Sequence, residues 1–395
     1  MITARARTFL VAAAVLYLFA NQTQVGWLYV MSALLVGMVL AGGWLSRGVL
    51  RRIDAERRVG TSEDAELFEG DIVSIELLIL SRKTASQIRV TEVCPLAAPN
   101  ASQREIRMFI PSLPAGSKVN FDYDVTLDRR GVHEFPPLKL ETRAPFGFFE
   151  YRRNLPISSR VLVYPELRRL RKLDLLDRQL APLIARPKAG IGYEVMGVRP
   201  FRSGDSPRDI HWRSVARTGQ LIVKEYADEA QPGLTLALDL FQYPYPVAEN
   251  KHTPFEWAVK CALSIGDYAL LKGYPLHLSA DDEAPRGPVS RWALLQYLAR
   301  VQPHSISRLP FGQSLQAFVA AVLPWPDPAL VDPLLELHRQ GIELLVVVID
   351  PQTFPAGGLS GGSLVDELRA IGIETRYVKF ADDWADQLSM EPISR

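Results

Sequence analysis

Two apolar stretches near the N-terminus constrain this chain more than any other feature. From Thr8 to Ala20 almost every residue is apolar (TFLVAAAVLYLFA). After the polar tetrad Asn21, Gln22, Thr23 and Gln24, a second run from Val25 to Leu45 carries no charge. A helix needs about 20 apolar residues to cross the hydrocarbon core of a bilayer. The second run meets that length. The first reaches it when Ile2 to Thr8 is included and Arg5 and Arg7 extend their charged heads to the interface. A cleaved signal peptide is disfavoured, because the second run follows at once and no small-residue cleavage site separates the two. The expectation is a two-helix transmembrane hairpin over residues 1–47.

The flanking charges set its orientation. Arg5 and Arg7 precede the first run, Arg47, Arg51, Arg52, Arg57 and Arg58 follow the second, and the loop between is uncharged. The positive-inside rule then places both termini and all soluble parts in the cytoplasm, with the chain a multi-pass protein of the inner (plasma) membrane. Two cysteines in 395 residues exclude a disulfide scaffold or a Cys-rich zinc site and fit a reducing compartment. With 45 Lys and Arg against 44 Asp and Glu, the balance argues against a nucleic-acid binder, so the lipid bilayer is the first expected partner.

Residues 56–165 read as strands. Ile72–Leu80, Ile88–Val93, Glu105–Ile110, Lys118–Leu127, Leu138–Thr142 and Arg160–Tyr164 are the candidates, with Pro111 to Gly116 among the separating turns. Val119, Phe121, Tyr123, Val125 and Leu127 alternate with polar residues, as one buried face requires. Short strands at this spacing predict an antiparallel β-sandwich. Pro145, Phe146, Gly147, Phe148 and Phe149 form an apolar cluster on a turn, read as a hydrophobic plug, with a partner patch as the alternative.

Residues 166–230 form a charged connector. Leu167, Leu170 and Leu173 suggest an amphipathic helix up to about Leu180, either docked on the protein or lying on anionic lipid. Beyond it, Ser206 as cap, Pro207 at the first helical position and Gly219 as stop predict a second helix. On that helix Asp209, Arg213 and Arg217 share a face beside an apolar stripe of Trp212, Val215 and Ala216. Arg199, Arg202, Arg208, Arg213, Arg217 and Lys224 alternate with Asp205, Asp209, Glu225, Asp228 and Glu229. Such a set makes either an ion-pair lock between domains or a guanidinium docking surface for anions. The acids are numerous enough to pair most of the bases, which favours the lock. Gly190, Gly192 and Gly197 have neither dinucleotide-fingerprint nor P-loop spacing.

The heart of this segment, RPFRSGDSPRDIHWRSVART, resembles the signature of the DUF58 family. Glu194, Arg199, Phe201, Gly204, Asp205, Arg208, Ile210, Trp212, Ala216, Arg217, Leu221, Val223, Lys224 and Glu229 carry the resemblance. It implies a membrane hairpin, a β-rich domain and a C-terminal α/β von Willebrand factor A-like domain, in that order. It also implies a MoxR-type AAA+ ATPase and a transglutaminase-like membrane protein as partners, in a family with no established enzymatic activity. His211 stands where some members carry Asp, which leaves one carboxylate fewer here.

Residues 231–395 alternate strands and helices. The strands are Leu234–Asp239, Leu276–Ser279, Glu343–Ile349 and Glu374–Phe380; the helices are Pro254–Lys272, Arg291–Val301, Pro328–Gln340, Ser363–Ala370 and Asp382–Ser389. That alternation predicts a mostly parallel sheet, whose ligands bind at the carboxyl ends of strands. Asp239 and Asp350 both stand at such ends. The A-like resemblance implies a D-x-S-x-S sequence holding Mg²⁺ after the first strand, but the stretch here is DLFQY, with Phe241 and Tyr243 at the serine positions. Two hard oxygen ligands are therefore missing, and no cofactor is expected. No H-E-x-x-H sequence is present. The expected function is a membrane-anchored interaction or assembly module working with an AAA+ ATPase in envelope-related processes. The competing class is a metal-dependent hydrolase using Asp239 and Asp350.

Overall fold

The computed structural model describes residues 2–60, 66–174, 176–177, 195–201, 210–226, 233–241, 243, 251–280, 284–303, 315–355, 357–380 and 382–389; of residues 195–199, 218 and 224–226 it describes the backbone alone. The chain divides into two compact units, Met1–Glu166 with Leu298–Val301, and Leu167–Tyr297 with Gln302–Arg395.

The first unit opens with helices α1 (Ala4–Thr23) and α2 (Gly26–Ser46), both long and apolar enough to cross a bilayer. Thr3 caps α1, and Gln24 ends it in a left-handed conformation (φ 55°), its N–H reaching the Ala20 carbonyl at 2.8 Å. The helices meet through small residues, where the Ser32 hydroxyl donates to the Ala13 carbonyl at 2.8 Å. Only 17% and 22% of their most apolar stretches are buried, whereas a soluble core helix would be mostly covered. Leu18, Val30, Leu34 and Leu40 are among the large side chains left exposed.

Nine strands follow: β1 (Ile53–Val59), β2 (Ile72–Ser81), β3 (Ala85–Val93), β4 (Glu105–Leu113), β5 (Lys118–Thr126), β6 (Gly131–Glu134), β7 (Leu138–Thr142), β8 (Tyr151–Leu155) and β9 (Arg160–Val163). They pair antiparallel as β1-β2-β5, β4-β3-β7-β8 and β6-β9. One core cluster joins Ile53, Leu77 and Ile79 of the first sheet to Ile88, Val90, Ile110, Leu138 and Leu140 of the second. Pro111, expected in a turn, lies inside β4, because that strand is the sheet edge, where a missing N–H costs no ladder bond. Opposite it Gln87 has φ 51°, and the paired positions on either side are Ser86↔Ser112 and Ile88↔Ile110.

β1 places a charge at an inward position. Arg57 Nε donates to Glu92 Oε1 at 2.8 Å, and both side chains are fully buried. The Tyr123 hydroxyl also donates to Glu92 Oε1, at 3.0 Å, and the Arg57 guanidinium lies 4.3 Å from the centre of the Phe135 ring.

The Pro145–Phe149 turn closes the base of the hairpin. Phe148 is buried among Ala6, Phe9, Met38 and Val39. The Ser46 hydroxyl donates to the Ala144 carbonyl (2.5 Å), Tyr151 to the Gly43 carbonyl (3.1 Å), and the Thr3 N–H to the Phe148 carbonyl (2.9 Å). A Cβ on Gly43 would stand 3.0 Å from the Phe149 ring, so the absent side chain is what allows this approach.

The second unit begins with an extended segment. Residues 166–173 are not helical, contrary to the leucine spacing. Side chains take the backbone donors that a helix would use: the Arg171 N–H reaches Ser389 Oγ and the Leu173 N–H reaches Asp177 Oδ2. Leu170, Leu173 and Leu176 are nevertheless buried, and the Tyr268 hydroxyl bonds both Asp177 oxygens at 2.8 Å. The segment is thus fastened to the unit it precedes.

Strand β10 (Val195–Pro200) pairs antiparallel with β11 (Ile222–Tyr226), and α3 (Trp212–Thr218) lies between them in sequence. The main sheet contains β12 (Leu234–Leu238), β13 (Leu276–Ser279), β14 (Phe318–Leu323), β15 (Glu343–Ile349) and β16 (Glu374–Val378), all parallel, in the order β13-β12-β14-β15-β16. The helices are α4 (Pro254–Leu271), α5 (Arg291–Arg300), α6 (Val331–Arg339), α7 (Gly362–Ala370) and α8 (Trp384–Ser389). Leucines of α6 and α7 cover Val319, Ala321, Val346 and Val348 on one face of the sheet. Gly266 of α4 faces Leu236, Leu276 and Leu294 on the other, and a Cβ there would come within 2.7 Å of Leu294. Helices on both faces explain why β12, β14 and most of β15 are buried throughout.

Candidate functional site

Two places were marked by the sequence: the Arg/Asp signature and the carboxyl edge of the parallel sheet. In the first, Glu194, Arg202, Gly204, Asp205, Arg208, Asp209 and Glu229 lie outside the described residues. Arg199 and Lys224 stand on the adjoining strands of the β10–β11 ribbon, with Arg199 opposite Val223 and Lys224 opposite Val198. The described helix runs from Trp212, and the expected cap Ser206 and first helical position Pro207 lie outside the described residues. Ile210 bridges Val223 and the His211 N–H donates to the Ile222 carbonyl, so this backbone continues the ribbon where a helical turn was expected. Trp212, Arg213, Ala216 and Arg217 are exposed and Val215 is half-buried, so the expected apolar stripe does not cover a core. Gly219 ends α3 at φ 69°, as its spacing predicts. The His211 ring bonds the Ser214 hydroxyl at 2.6 Å.

At the carboxyl edge, Asp239 directly follows β12 and is fully buried. Its Oδ1 accepts the Phe241 N–H at 2.9 Å, and its Oδ2 accepts the Tyr243 hydroxyl at 2.7 Å. Tyr243 in turn stacks on Trp325 beyond β14, with centroids 5.5 Å apart and planes 16° from parallel. Sequence reasoning treated Tyr243 as the loss of a ligand; it is the partner of the carboxylate. Asp350, after β15, is buried too, and accepts the Gly361 N–H on Oδ1 at 3.2 Å. Gly361 cannot carry a side chain, since a Cβ would meet the Tyr377 ring at 2.9 Å. Both carboxylates therefore tie the loops that follow their strands. Among the described residues no three His, Cys, Asp or Glu side chains come together as a metal would require.

The buried hydroxyls and thiols give this fold a defined response to alkali. Burial first, and hydrogen bonding to Asp350 second, push the Tyr377 hydroxyl up to about 12. Burial likewise raises Tyr123, Tyr268, Tyr274, Cys94 and Cys261. A raised pKa means that the unfolded chain loses the proton first. The stabilisation is complete below the unfolded values, about 8.5 for thiols and about 10 for tyrosine, and is lost as pH rises through the folded ones. The melting temperature is expected to fall steadily between about pH 8.5 and 11. A flat thermal-shift profile over that range would contradict the burial of these groups.

No protein-family model matches the chain, and no curated protein matches it. Among solved structures it is similar to a GH20 exo-β-N-acetylglucosaminidase from Vibrio harveyi (TM-score 0.22, 11% identity, covering 76% of this chain and 57% of that one). It is also similar to the sporulation control protein Spo0M from Bacillus subtilis (TM-score 0.16, 12% identity, 38% and 58%). A third is a β-glucosidase from Erythrobacter marinus (TM-score 0.16, 9% identity, 28% and 15%). The chain spans less than two thirds of the length of each of these proteins. At such scores the likenesses carry no argument about fold or activity.

Proposed function

We propose that this chain is a membrane-anchored, cytoplasmic interaction module. The hairpin holds it in the inner membrane with both termini and both soluble units inside. The β-rich unit is a sandwich, and the C-terminal unit is a von Willebrand A-like domain that binds protein rather than metal. The observation that carries this reading is the hairpin: two bilayer-length helices, largely uncovered, bonded at their charged ends to a folded β-rich unit. The parallel sheet with helices on both faces supports the A-like assignment, and the exposed Trp212, Arg213 and Arg217 support a docking role for the signature. The partners proposed from the DUF58 resemblance are a MoxR-type AAA+ ATPase and a transglutaminase-like membrane protein.

The test is affinity capture of the full chain from native membranes, with wild type beside an Arg199→Ala/Arg202→Ala variant. Recovery of the ATPase with the wild type and its loss with the variant, at unchanged melting temperature, is the expected result. Equal recovery would remove the signature from the interface, and a lowered melting temperature would favour the interdomain lock. A metal-dependent hydrolase would need the oxygens of Asp239 and Asp350, which already accept protein donors. Mg²⁺ is accordingly expected to leave the melting temperature unchanged; a shift of several degrees would favour the hydrolase.

A further inference from the structure

A cavity of about 470 Å³ lies in the first unit, where the start of α1 meets β3, β7 and the Pro145–Phe149 turn. Arg5, Arg89 and Arg143 line it, with Glu141 as the carboxylate and Phe109 and Phe146 among the apolar members. The charges do not cancel. Arg143 is paired with Glu150 at 2.7 Å, and Glu141 with Arg152 at 3.1 Å. Arg5 and Arg89 make no ion pair among the described residues and are exposed to the cavity. Arg5 extends along the turn, its Nη1 3.4 Å from where a Cβ on Gly147 would stand. Arg89 stands between Glu141 on β7 and Phe109 on β4. Phe109 and Phe146 remain 55% and 43% exposed, which leaves an apolar wall beside two uncompensated guanidinium groups.

We propose that this cavity holds the headgroup of an anionic phospholipid. The inference rests on the hairpin reading above, which puts the first turn of α1 at the cytoplasmic headgroup layer. Guanidinium groups bind phosphate oxygens through paired hydrogen bonds, and an aromatic wall suits the glycerol and upper acyl region. A site of this kind would fix the soluble unit against the bilayer and favour membranes rich in anionic lipid.

The test uses the full chain in nanodiscs of equimolar phosphatidylglycerol and phosphatidylcholine, released into detergent and weighed by native mass spectrometry. Wild type is expected to keep phosphatidylglycerol in preference to phosphatidylcholine. Arg5→Gln/Arg89→Gln should weaken that retention about thirty-fold, the effect of two arginines at an anionic surface. Arg58→Gln/Arg82→Gln removes the same charge outside the cavity and should keep it. Equal retention of both lipids, or an equal loss in the control pair, overturns the proposal. Displacement of the lipid by millimolar inorganic phosphate would make the site one for free phosphate and also overturn it. Carbonate extraction separates the two readings: a chain stripped from the membrane refutes the anchor and the lipid site together. A chain that stays in the membrane without lipid preference refutes the site alone.

Discussion

Glu92→Gln is expected to destabilise the β-rich unit by about 3–5 kcal/mol, the cost of leaving a buried charge without its counter-ion. Arg57 cannot shed its proton, its side chain is fully buried, and its remaining contacts are neutral: the Ile157 carbonyl, the Ser159 hydroxyl and the Phe135 ring. A glutamine would still accept from Arg57 Nε, so the loss isolates charge from hydrogen bonding. The pair itself is not expected to stabilise much, because desolvating both ions offsets their attraction. Arg57→Met/Glu92→Leu should therefore recover most of the stability, to within about 1–2 kcal/mol of wild type. Protection of the β2 and β5 amides in native-state hydrogen exchange reads this unit separately from the other. A single-variant loss below about 1 kcal/mol would mean that water reaches Arg57 and that the pair is not sealed.

The second large effect distinguishes a bilayer from water around the hairpin. Leu34 is 64% exposed at the middle of α2. If water surrounds it, Leu34→Arg is neutral or improves solubility. In hydrocarbon, an arginine at the helix centre costs about 2.5–3.5 kcal/mol by insertion scales. The expected result is a fall in carbonate-resistant membrane protein on the order of a hundredfold in the insertion equilibrium, partly relieved when the arginine is moved to Trp44 near the interface. Unaltered membrane yield with Leu34→Arg would contradict a spanning helix.

How much of this was legible in the sequence depended on whether a residue's role is local. The two N-terminal helices were plain, because length and apolarity alone mark a helix able to cross a bilayer. Strands β2, β3, β5 and β7 showed themselves by alternation, with one face of each in a core. β1 did not, since the inward position held by Arg57 looks polar until Glu92, 35 residues away, supplies its partner. β14 was hidden for the opposite reason: FVAAVL is buried on both faces, and a short apolar run has no period to read. Leu170 and Leu173 identified a buried segment correctly, but helical spacing could not reveal that Ser389 and Asp177 would take its backbone donors. At the carboxyl edge Asp239 and Asp350 were found from strand ends, while Tyr243, Gly361 and Tyr377 were not, because only the folded sheet brings them to those carboxylates.

The central claim is that the hairpin tip faces out and both soluble units face the cytoplasm. Single cysteines at Gln22 in the tip, Ala115 in the β-rich unit and Asp366 in the α/β unit report on it, all three positions being exposed. Buried Cys94 and Cys261 are replaced by alanine to remove background. A membrane-impermeant maleimide applied to cells with permeabilised outer layers should label Gln22→Cys, and should label Ala115→Cys and Asp366→Cys only after lysis. Labelling of Ala115→Cys or Asp366→Cys before lysis, or a Gln22→Cys that reacts only after it, would contradict the account.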